Sequence, residues 1–533
     1  MGALTTAANG NVEVTTYPES RVLIIITGGT ICMQPSASGL VPVDGFIDNA
    51  MAPRLSFNDM SERVPLTAVK DGVEVTIDSL RTPPSSYSRH IRYGALEFSP
   101  LLDSSSISSF GWTQIATTIK DNYHLFDGFV VLHGTDSLAY SASALSFMLE
   151  DLGKPVILTG SQASIFALQS DAVDNLLGSL IIAGTFAIPE VCLFFHHTLF
   201  RGNRTTKVSA SSFDAFASPN CEPLAKVTSL GVDVNWSLVR RPTKIAQFRV
   251  TPYVDTAHVA CVRIFPGIKP EMVDSVLRVP ELRGLILETF GMGNAPAGVD
   301  GSLTKVIAAA VQRGIIIVNV SQCTNGFVSP LYAPGFALGR AGVVFGHDLT
   351  SEAALTKLSY LLALPPKSEG SHAAEIAARM STSLRGELTE LAATTSFAHP
   401  PPAGPDASWG ERLTGPEAAF TALGYAIASG NLRATTEILE AADRDEGGEG
   451  EGPMVLLRHA DYMGNTAVHL AALGPAPEVL KELLVRGASV HARNRANNTP
   501  LFLARRAGNE GCAKLLREAG GMLWQEEEVV ERG

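Results

Sequence analysis

Short apolar runs rich in β-branched residues recur along the first two-thirds of the chain, and longer segments with helical spacing separate them. They include VLIIITGGT from Val22, GFVVLHGTDS from Gly128, PVILTGSQ from Pro155, GLILETFGMG from Gly284 and GIIIVNVSQC from Gly314. None alternates apolar with polar positions. Each therefore reads as a strand buried on both faces, in mainly parallel sheets covered by helices. The fold class expected is α/β. Several runs end in Gly, Thr or Ser, and in such sheets ligands gather beyond the carboxyl ends of the strands. Functional residues are expected there.

The strand rhythm weakens in KVSASSFDAFASPNCEPLAKV from Lys207, which reads as loop, and resumes near Ile245. The expected division is a tail over 1–20, a first domain over 21–215, an inter-domain linker over 216–244 and a second domain over 245–390. HPPPAGPDASWG from His399 carries three successive prolines, which continue neither a helix nor a central strand, so 391–415 reads as a linker. Beyond it the chain repeats. DYMGNTAVHLAA from Asp461 and NRANNTPLFLAR from Asn494 share a T-x-φ-x-φ-A core, with Thr466 and Thr499 separated by 499 − 466 = 33 residues, the ankyrin period. An earlier copy, TALGYAIASGNLRATTEILEAA from Thr421, stands 45 residues ahead, the excess being the acidic, Gly-rich insertion DRDEGGEGEG from Asp443. Three turn–helix–helix units are expected over 416–522, an all-α ankyrin-repeat domain followed by an acidic tail over 523–533.

With 533 residues, 45% of them apolar and 18% charged, the chain has material for several cores. A net charge of −12 supplies no electrostatic footprint for nucleic acid. The six cysteines, Cys32, Cys192, Cys221, Cys261, Cys323 and Cys512, are scattered without a C-x-x-C unit, which points to a reduced, cytoplasmic setting. The first twenty residues lack a basic start and an apolar run, and no window approaches about eighteen apolar residues, so neither a secretory leader nor a membrane span is expected. No His, Cys and carboxylate cluster has metal-site spacing, and TGGT lacks the lysine of a phosphate loop. No metal and no cofactor are expected.

Two strand ends place hydroxyls beside flexible backbone: Thr27 and Thr30 around Gly28 and Gly29, and Thr135 and Asp136 after Gly134. Glycines let backbone approach a ligand closely and leave N–H groups free to face an anion. A threonine hydroxyl becomes a nucleophile when a base takes its proton, and Lys207, in RGNRTTKVSA after the buried run EVCLFF, is a candidate for that work. On these residues alone the TGG turn also suits a phosphate loop, and Lys207 also suits a solvated surface. His133 precedes the Gly-Thr-Asp triplet and invites a triad reading, but a histidine on a buried strand is read here as core.

Taken together, the motifs resemble the L-asparaginases, most closely their type I cytosolic branch, over roughly Arg21 to Leu388. TGGTI at Thr27 to Ile31 and LHGTDS at Leu132 to Ser137 are similar to the family's two signatures, and LAYSASALSFML, LLDSSS, KPVILTGSQ, TTKVS, FPGI, GMGNAP and SLRGEL extend the match. An asparaginase core followed by ankyrin repeats also resembles eukaryotic relatives described as 60 kDa lysophospholipases. The resemblance implies a two-domain asparaginase fold that hydrolyses L-asparagine to L-aspartate and ammonia. It implies Thr30 as nucleophile forming an acyl-enzyme, and Thr135 as second catalytic threonine with Asp136 and Lys207 relaying its proton. Asp136 would also grip the substrate α-ammonium, and in the triplet Asp103, Ser104, Ser105 the Ser104 hydroxyl would bind the α-carboxylate. Backbone N–H groups near Gly29 and Thr135 would receive the oxyanion. Many relatives carry a tyrosine just after TGGTI; CMQPSASGLVPVDG from Cys32 has none, and Leu40 takes the nearest position. Tyr332 in SPLYAPG matches the pattern of relatives that supply it from the second domain.

Asn294 in GMGNAP resembles a residue that a neighbouring subunit contributes, which implies a homodimer or homotetramer; its other reading is a turn asparagine. Type I members also bind asparagine at an allosteric site, and Thr206 lies where the coupling would run. Two alternatives to an asparaginase remain. One is a lysophospholipase or other amide or ester hydrolase, although no G-x-S-x-G elbow is present. The other is an inactive scaffold working through ankyrin contacts with an unknown protein.

Overall fold

The structure is a computed structural model, and it describes residues 4–6, 12–14, 17–36, 39–42, 45–241, 246–251, 256–329, 333–366, 372–389, 416–444, 453–461, 463–523 and 527. The chain divides into two compact units, 1–389 and 390–533.

The first unit is built on β1 (Glu19–Gly28), β2 (Leu80–Arg81), β3 (His90–Leu102), β4 (Gly128–Leu132), β5 (Val156–Thr159), β6 (Val191–Phe195), β7 (Thr198–Arg201), β8 (Ala225–Thr228) and β9 (Gly231–Val234). Among the described residues these nine strands form one sheet in the order β9-β8-β7-β6-β5-β4-β1-β3-β2. Its centre, β6-β5-β4-β1-β3, is parallel throughout, and the edges are antiparallel. Val22 to Ile26 of β1 and Phe129 to Leu132 of β4 are wholly buried. That is why their sequence shows no alternation: both faces are covered. Helices α1 (Ser109–Asn122) and α2 (Leu138–Met148) pack on one face, where Leu145 and Phe147 meet Val131 and Leu158. On the other face α3 (Ala172–Thr185) sets Leu176 and Leu180 against Ile24 and Val130.

A second, wholly parallel sheet follows: β10 (Val259–Arg263), β11 (Gly284–Thr289), β12 (Ile316–Ser321) and β13 (Val344–Phe345). Helices α4 (Pro270–Leu277) and α5 (Ser302–Gln312) cover its outer face with Val273, Leu303 and Ile307. Helix α6 (Ser351–Ala363) lies between the two sheets, and Leu358 and Leu361 share one core with Phe147 of α2 and Val318 of β12. The two α/β halves are thus welded by apolar burial.

The stretch expected as a linker over 216–244 differs from that expectation. Phe216–Ala217 forms a short pair with Thr206–Lys207, and β8 and β9 extend the large sheet as an antiparallel edge hairpin. Over four residues each, these strands hold partly buried and exposed positions with Ala225 alone buried, too short and too solvated to leave an apolar run.

The second unit is helical. Paired helices α7 (Pro416–Ala428) and α8 (Leu432–Arg444), α9 (Ala467–Leu473) and α10 (Pro477–Val485), and α11 (Pro500–Arg506) and α12 (Glu510–Glu518) bury Leu423, Leu439, Val468, Leu480, Leu501 and Leu516 in one continuous core. Thr466 and Thr499 stand at the N-termini of α9 and α11, and the Thr499 hydroxyl accepts the Phe502 N–H at 3.2 Å. The repeated threonine is therefore a helix cap, which explains its 33-residue recurrence. The linker 391–415 and most of the acidic insertion and tail lie outside the described residues.

Candidate active site

Four adjacent parallel strands, β3, β1, β4 and β5, end on the same side of the sheet, and the residues that follow each end meet there. At the end of β1, Gly28 and Gly29 take φ values of +132° and +91°, a region that disfavours any side chain. Space forbids one as well. A Cβ on Gly29 would sit 2.4 Å from Gly134 N, and one on Gly134 would sit 2.4 Å from Ser104 Oγ. The loops carrying Gly29–Thr30 and Gly134–Thr135–Asp136 are therefore in backbone contact, and the Ser104 side chain of the third loop, Asp103–Ser104, packs directly on Gly134. Thr27 Oγ1 donates to Leu132 O at 2.9 Å and clips β1 to β4 just below. Thr30 opens a short 3₁₀ turn, Thr30–Cys32, and is partly exposed.

Thr135 is buried, and its hydroxyl lies between two partners. It accepts from Lys207 Nζ at 3.0 Å and donates to Gln162 Oε1 at 3.1 Å. The same ammonium reaches Asp136 Oδ1 at 2.8 Å. Ser104 is buried, its carbonyl accepting the Ser137 hydroxyl at 2.5 Å, while Asp103 accepts the Ser105 N–H at 3.0 Å and caps that turn. Asp103 and Ser105 are exposed at its rim.

Gln162 was not singled out in the sequence, although it closes the run PVILTGSQ. Its amide N–H is held by both oxygens of Asp171 at 3.1 Å, and its side-chain N–H donates to Ser212 O at 3.2 Å, so the carboxamide is fixed with its oxygen towards Thr135. The only signal available was its place one residue past a hydroxyl at a strand end.

Lys207 belongs to the two-residue strand Thr206–Lys207, anchored by what precedes it. Arg201 pairs with Glu190 at 2.6 Å, Asn203 Nδ2 donates to Arg385 O at 3.1 Å, and Arg204 donates to Glu387 O at 2.7 Å and Asp348 at 2.8 Å. Beside Arg204 the Asp348 carboxyl is held below its usual range despite burial, which alone would raise it. Thr206 donates to Glu352 Oε1 at 2.7 Å, a carboxyl on α6 whose pKa burial pushes up.

His133 is wholly buried, and burial lowers its pKa to about 4, so the ring is neutral near pH 7. Its nitrogens meet Gly134 O at 2.8 Å and the Ser141 hydroxyl at 2.9 Å, away from Lys207. Asn294 stands in the turn after β11, its N–H donating to Phe290 O; its Oδ1 is buried without a partner, and no hydrogen bond joins it to the Lys207 cluster. Tyr332 lies outside the described residues. Among the described residues no group of His, Cys, Asp or Glu is placed to hold a metal ion, and no helix is long and apolar enough to cross a membrane.

Fold and site define an α/β protein whose parallel strand ends gather two threonines, a lysine and a carboxylate, the equipment of an acyl-transfer hydrolase. Residues 21–240 match the family model of the asparaginase N-terminal domain, 258–373 that of the glutaminase/asparaginase C-terminal domain, and 463–495 an ankyrin repeat. The chain belongs to the asparaginase family. It is 41% identical to a 60 kDa lysophospholipase of Mus musculus over 88% of this chain and 79% of that one. It is 36% identical to an L-asparaginase of Dirofilaria immitis, over 95% and 82% respectively. With L-asparaginase 1 of Escherichia coli (strain K12) it shares 41% identity over 70% of this chain and 98% of the relative. The crystal structure of L-asparaginase I from Vibrio cholerae superposes with a TM-score of 0.58 at 39% identity, covering 70% of this chain and 99% of that one.

Proposed function

We propose that the chain hydrolyses the side-chain amide of L-asparagine to L-aspartate and ammonia through a threonine-bound acyl intermediate. The observation that carries this reading is the Lys207 ammonium held between Thr135 Oγ1 at 3.0 Å and Asp136 Oδ1 at 2.8 Å, beside the Gly29–Thr30 turn. Thr30 attacks the carboxamide carbon, and the tetrahedral oxyanion faces backbone N–H groups near Gly29 and Thr135. Removing one such donor costs roughly 3 to 4 kcal/mol of barrier in acyl-transfer enzymes. Collapse expels ammonia and leaves an aspartyl ester on Thr30. Water activated at Thr135 then releases aspartate. Asp136 balances the lysine charge and faces the substrate ammonium, while the Ser104 hydroxyl takes the α-carboxylate at a rim that Asp103 and Ser105 complete. Tyr332 and Asn294 enter this reading as a hydroxyl towards Thr30 and a contribution across a subunit contact. A homodimer or homotetramer in the cytoplasm, an allosteric input through Thr206, and an ankyrin unit that engages another protein or the catalytic core complete it.

The names of the mammalian relatives favour a second reading, a lysophospholipase. One assay separates the two: ammonia release from asparagine and fatty-acid release from lysophosphatidylcholine, each with the parent chain and with Thr30→Ala. Ammonia release that Thr30→Ala abolishes supports the first reading. Fatty-acid release without ammonia release would overturn it.

A further inference from the structure

His133 directly follows β4 and is 1% exposed, yet both nitrogens of its ring are engaged in hydrogen bonds. Those bonds belong to a chain that runs in one direction. At its start Trp112 Nε1, on α1, lies 2.8 Å from Ser141 Oγ, on α2, and an indole N–H only donates. Ser141 Oγ lies 2.9 Å from His133 Nε2, and His133 Nδ1 lies 2.8 Å from Gly134 O, which only accepts. In the neutral ring one nitrogen carries the proton, so Nδ1 donates to Gly134 O and Nε2 accepts the Ser141 hydroxyl. Burial keeps the ring in that neutral form.

The chain ends where the tetrahedral oxyanion is to be received. Gly134 C=O and Thr135 N–H belong to one planar peptide and point in opposite directions, so holding the carbonyl fixes the N–H. Among the described residues the Thr135 N–H donates to no protein atom, whereas the His133 N–H bonds to Thr159 O at 2.9 Å. The peptide needs an outside tie because residue 134 has to be glycine: a Cβ there would sit 2.4 Å from Ser104 Oγ, and glycine leaves its own dihedrals loose. We infer that His133 is a positioning residue for the proposed acyl transfer, its Nδ1–H holding the Gly134 carbonyl so that the Thr135 N–H is aimed at the oxyanion. Donors fixed before the reaction cost no reorganisation during it, and Trp112 and Ser141 extend the tie into the helices α1 and α2. The inference rests on the acyl-transfer reading and adds a residue that touches neither substrate nor Lys207.

His133→Asn and His133→Gln in the full chain test this. The asparagine amide N–H can stand where Nδ1–H stood and reach Gly134 O, but it abandons Ser141 and leaves a void. Glutamine fills more of the space and reaches Ser141, but has no donor at the Nδ1 position. With folding checked by circular dichroism, His133→Gln should lower kcat about 10- to 100-fold with KM little changed, and His133→Asn should stay within about fivefold of the parent. A residue that only filled the core would rank the two the other way. Rates are read on asparagine, or on lysophosphatidylcholine if the parent turns over that substrate instead. A ¹⁵N spectrum of the imidazole rings in the parent, with the His133 signal identified by its shift in Ser141→Ala, should show the proton on Nδ1 and needs neither His133 variant to fold. Equal losses in the two variants, a loss confined to KM, or a proton on Nε2 would overturn the inference while the parent's turnover leaves the acyl-transfer reading standing. A parent that turns over neither substrate would remove both.

Discussion

Replacing Lys207 by Met and Thr135 by Val, singly and together, probes the one contact on which the proposed chemistry turns. The Lys207 ammonium meets the Thr135 hydroxyl at 3.0 Å and the Asp136 carboxylate at 2.8 Å. A positioned proton-handling group contributes about 10²- to 10⁴-fold to turnover, or about 3 to 5 kcal/mol of barrier. Each single change should therefore lower kcat by that factor. Since the hydroxyl is activated only through the lysine, the double variant should fall no further than the worse single one. Independent roles would instead multiply, giving a loss of about 10⁴- to 10⁸-fold. The cost to folding is of another order. The ion pair has 21% and 68% of its side-chain surface exposed, so solvent screens it to under about 1 kcal/mol. Thr135→Val leaves Gln162 Oε1 short of a donor, about 1 kcal/mol more. Initial rates of ammonia release from asparagine, read beside a denaturation curve for each variant, separate chemistry from folding. Turnover by Lys207→Met within tenfold of the parent, or multiplicative losses in the double variant, would refute the reasoning.

Other expectations follow from the same geometry. Gln162→Leu removes the acceptor that aims the Thr135 hydroxyl and the clip to Ser212, so kcat should fall about 10- to 100-fold with KM little altered; a change confined to KM in steady-state rates would contradict that role. Lys357 and Glu387 form a fully buried ion pair at 2.6 Å. Lys357→Met alone strands the carboxylate and should cost about 3 to 5 kcal/mol in urea denaturation, whereas Lys357→Met with Glu387→Gln should recover part of it, the amide still accepting from Leu384 and Arg385 N–H. A double variant weaker than the single one would count against this. Burial lowers the His133 pKa from 6.5 to about 4, so the unfolded chain binds a proton more readily than the folded one. Stability from this group is complete above pH 6.5 and declines as pH falls towards 4, by an amount of order 6.5 − 4 = 2.5 pH units, or roughly 3 kcal/mol. His133→Gln should lack that component, and identical pH profiles of unfolding for parent and variant would rule it out.

The parts of the site legible in the sequence share a physical origin. Strands β1 and β4 are buried on both faces, so they appear as unbroken apolar runs, and the polar residues that end them stand out against that background. Gly28 and Gly29 are demanded by positive φ and by backbone contact with neighbouring loops, so the TGG turn could not be disguised by substitution. Gln162 was invisible for the opposite reason. Its role exists only because β5 lies beside β4, and no local pattern records which strand neighbours which. The edge hairpin β8–β9 escaped notice because half-solvated strands of four residues resemble loop.

The positioning of Lys207 shows most clearly why a motif alone underdetermines a site. A two-residue strand paired, among the described residues, only with Phe216–Ala217 has too few hydrogen bonds to fix a long flexible side chain. Rigidity has to come from elsewhere, and Arg201, Asn203 and Arg204 bring it from residues 385–387, about 180 positions away in the chain. Those last residues are in turn tied down through the Glu387–Lys357 pair and the Asp348–Thr389 contact. The segment SLRGEL is thus explained by its geometry: Arg385 and Gly386 offer carbonyls, Glu387 supplies the buried charge, and Gly386, at φ +78°, has no room for a side chain beside Arg201. Chemistry at the strand ends therefore depends on a clamp at the far end of the unit. Changes at Glu387 or Asp348 should reach turnover through the placement of Lys207 without either residue touching substrate.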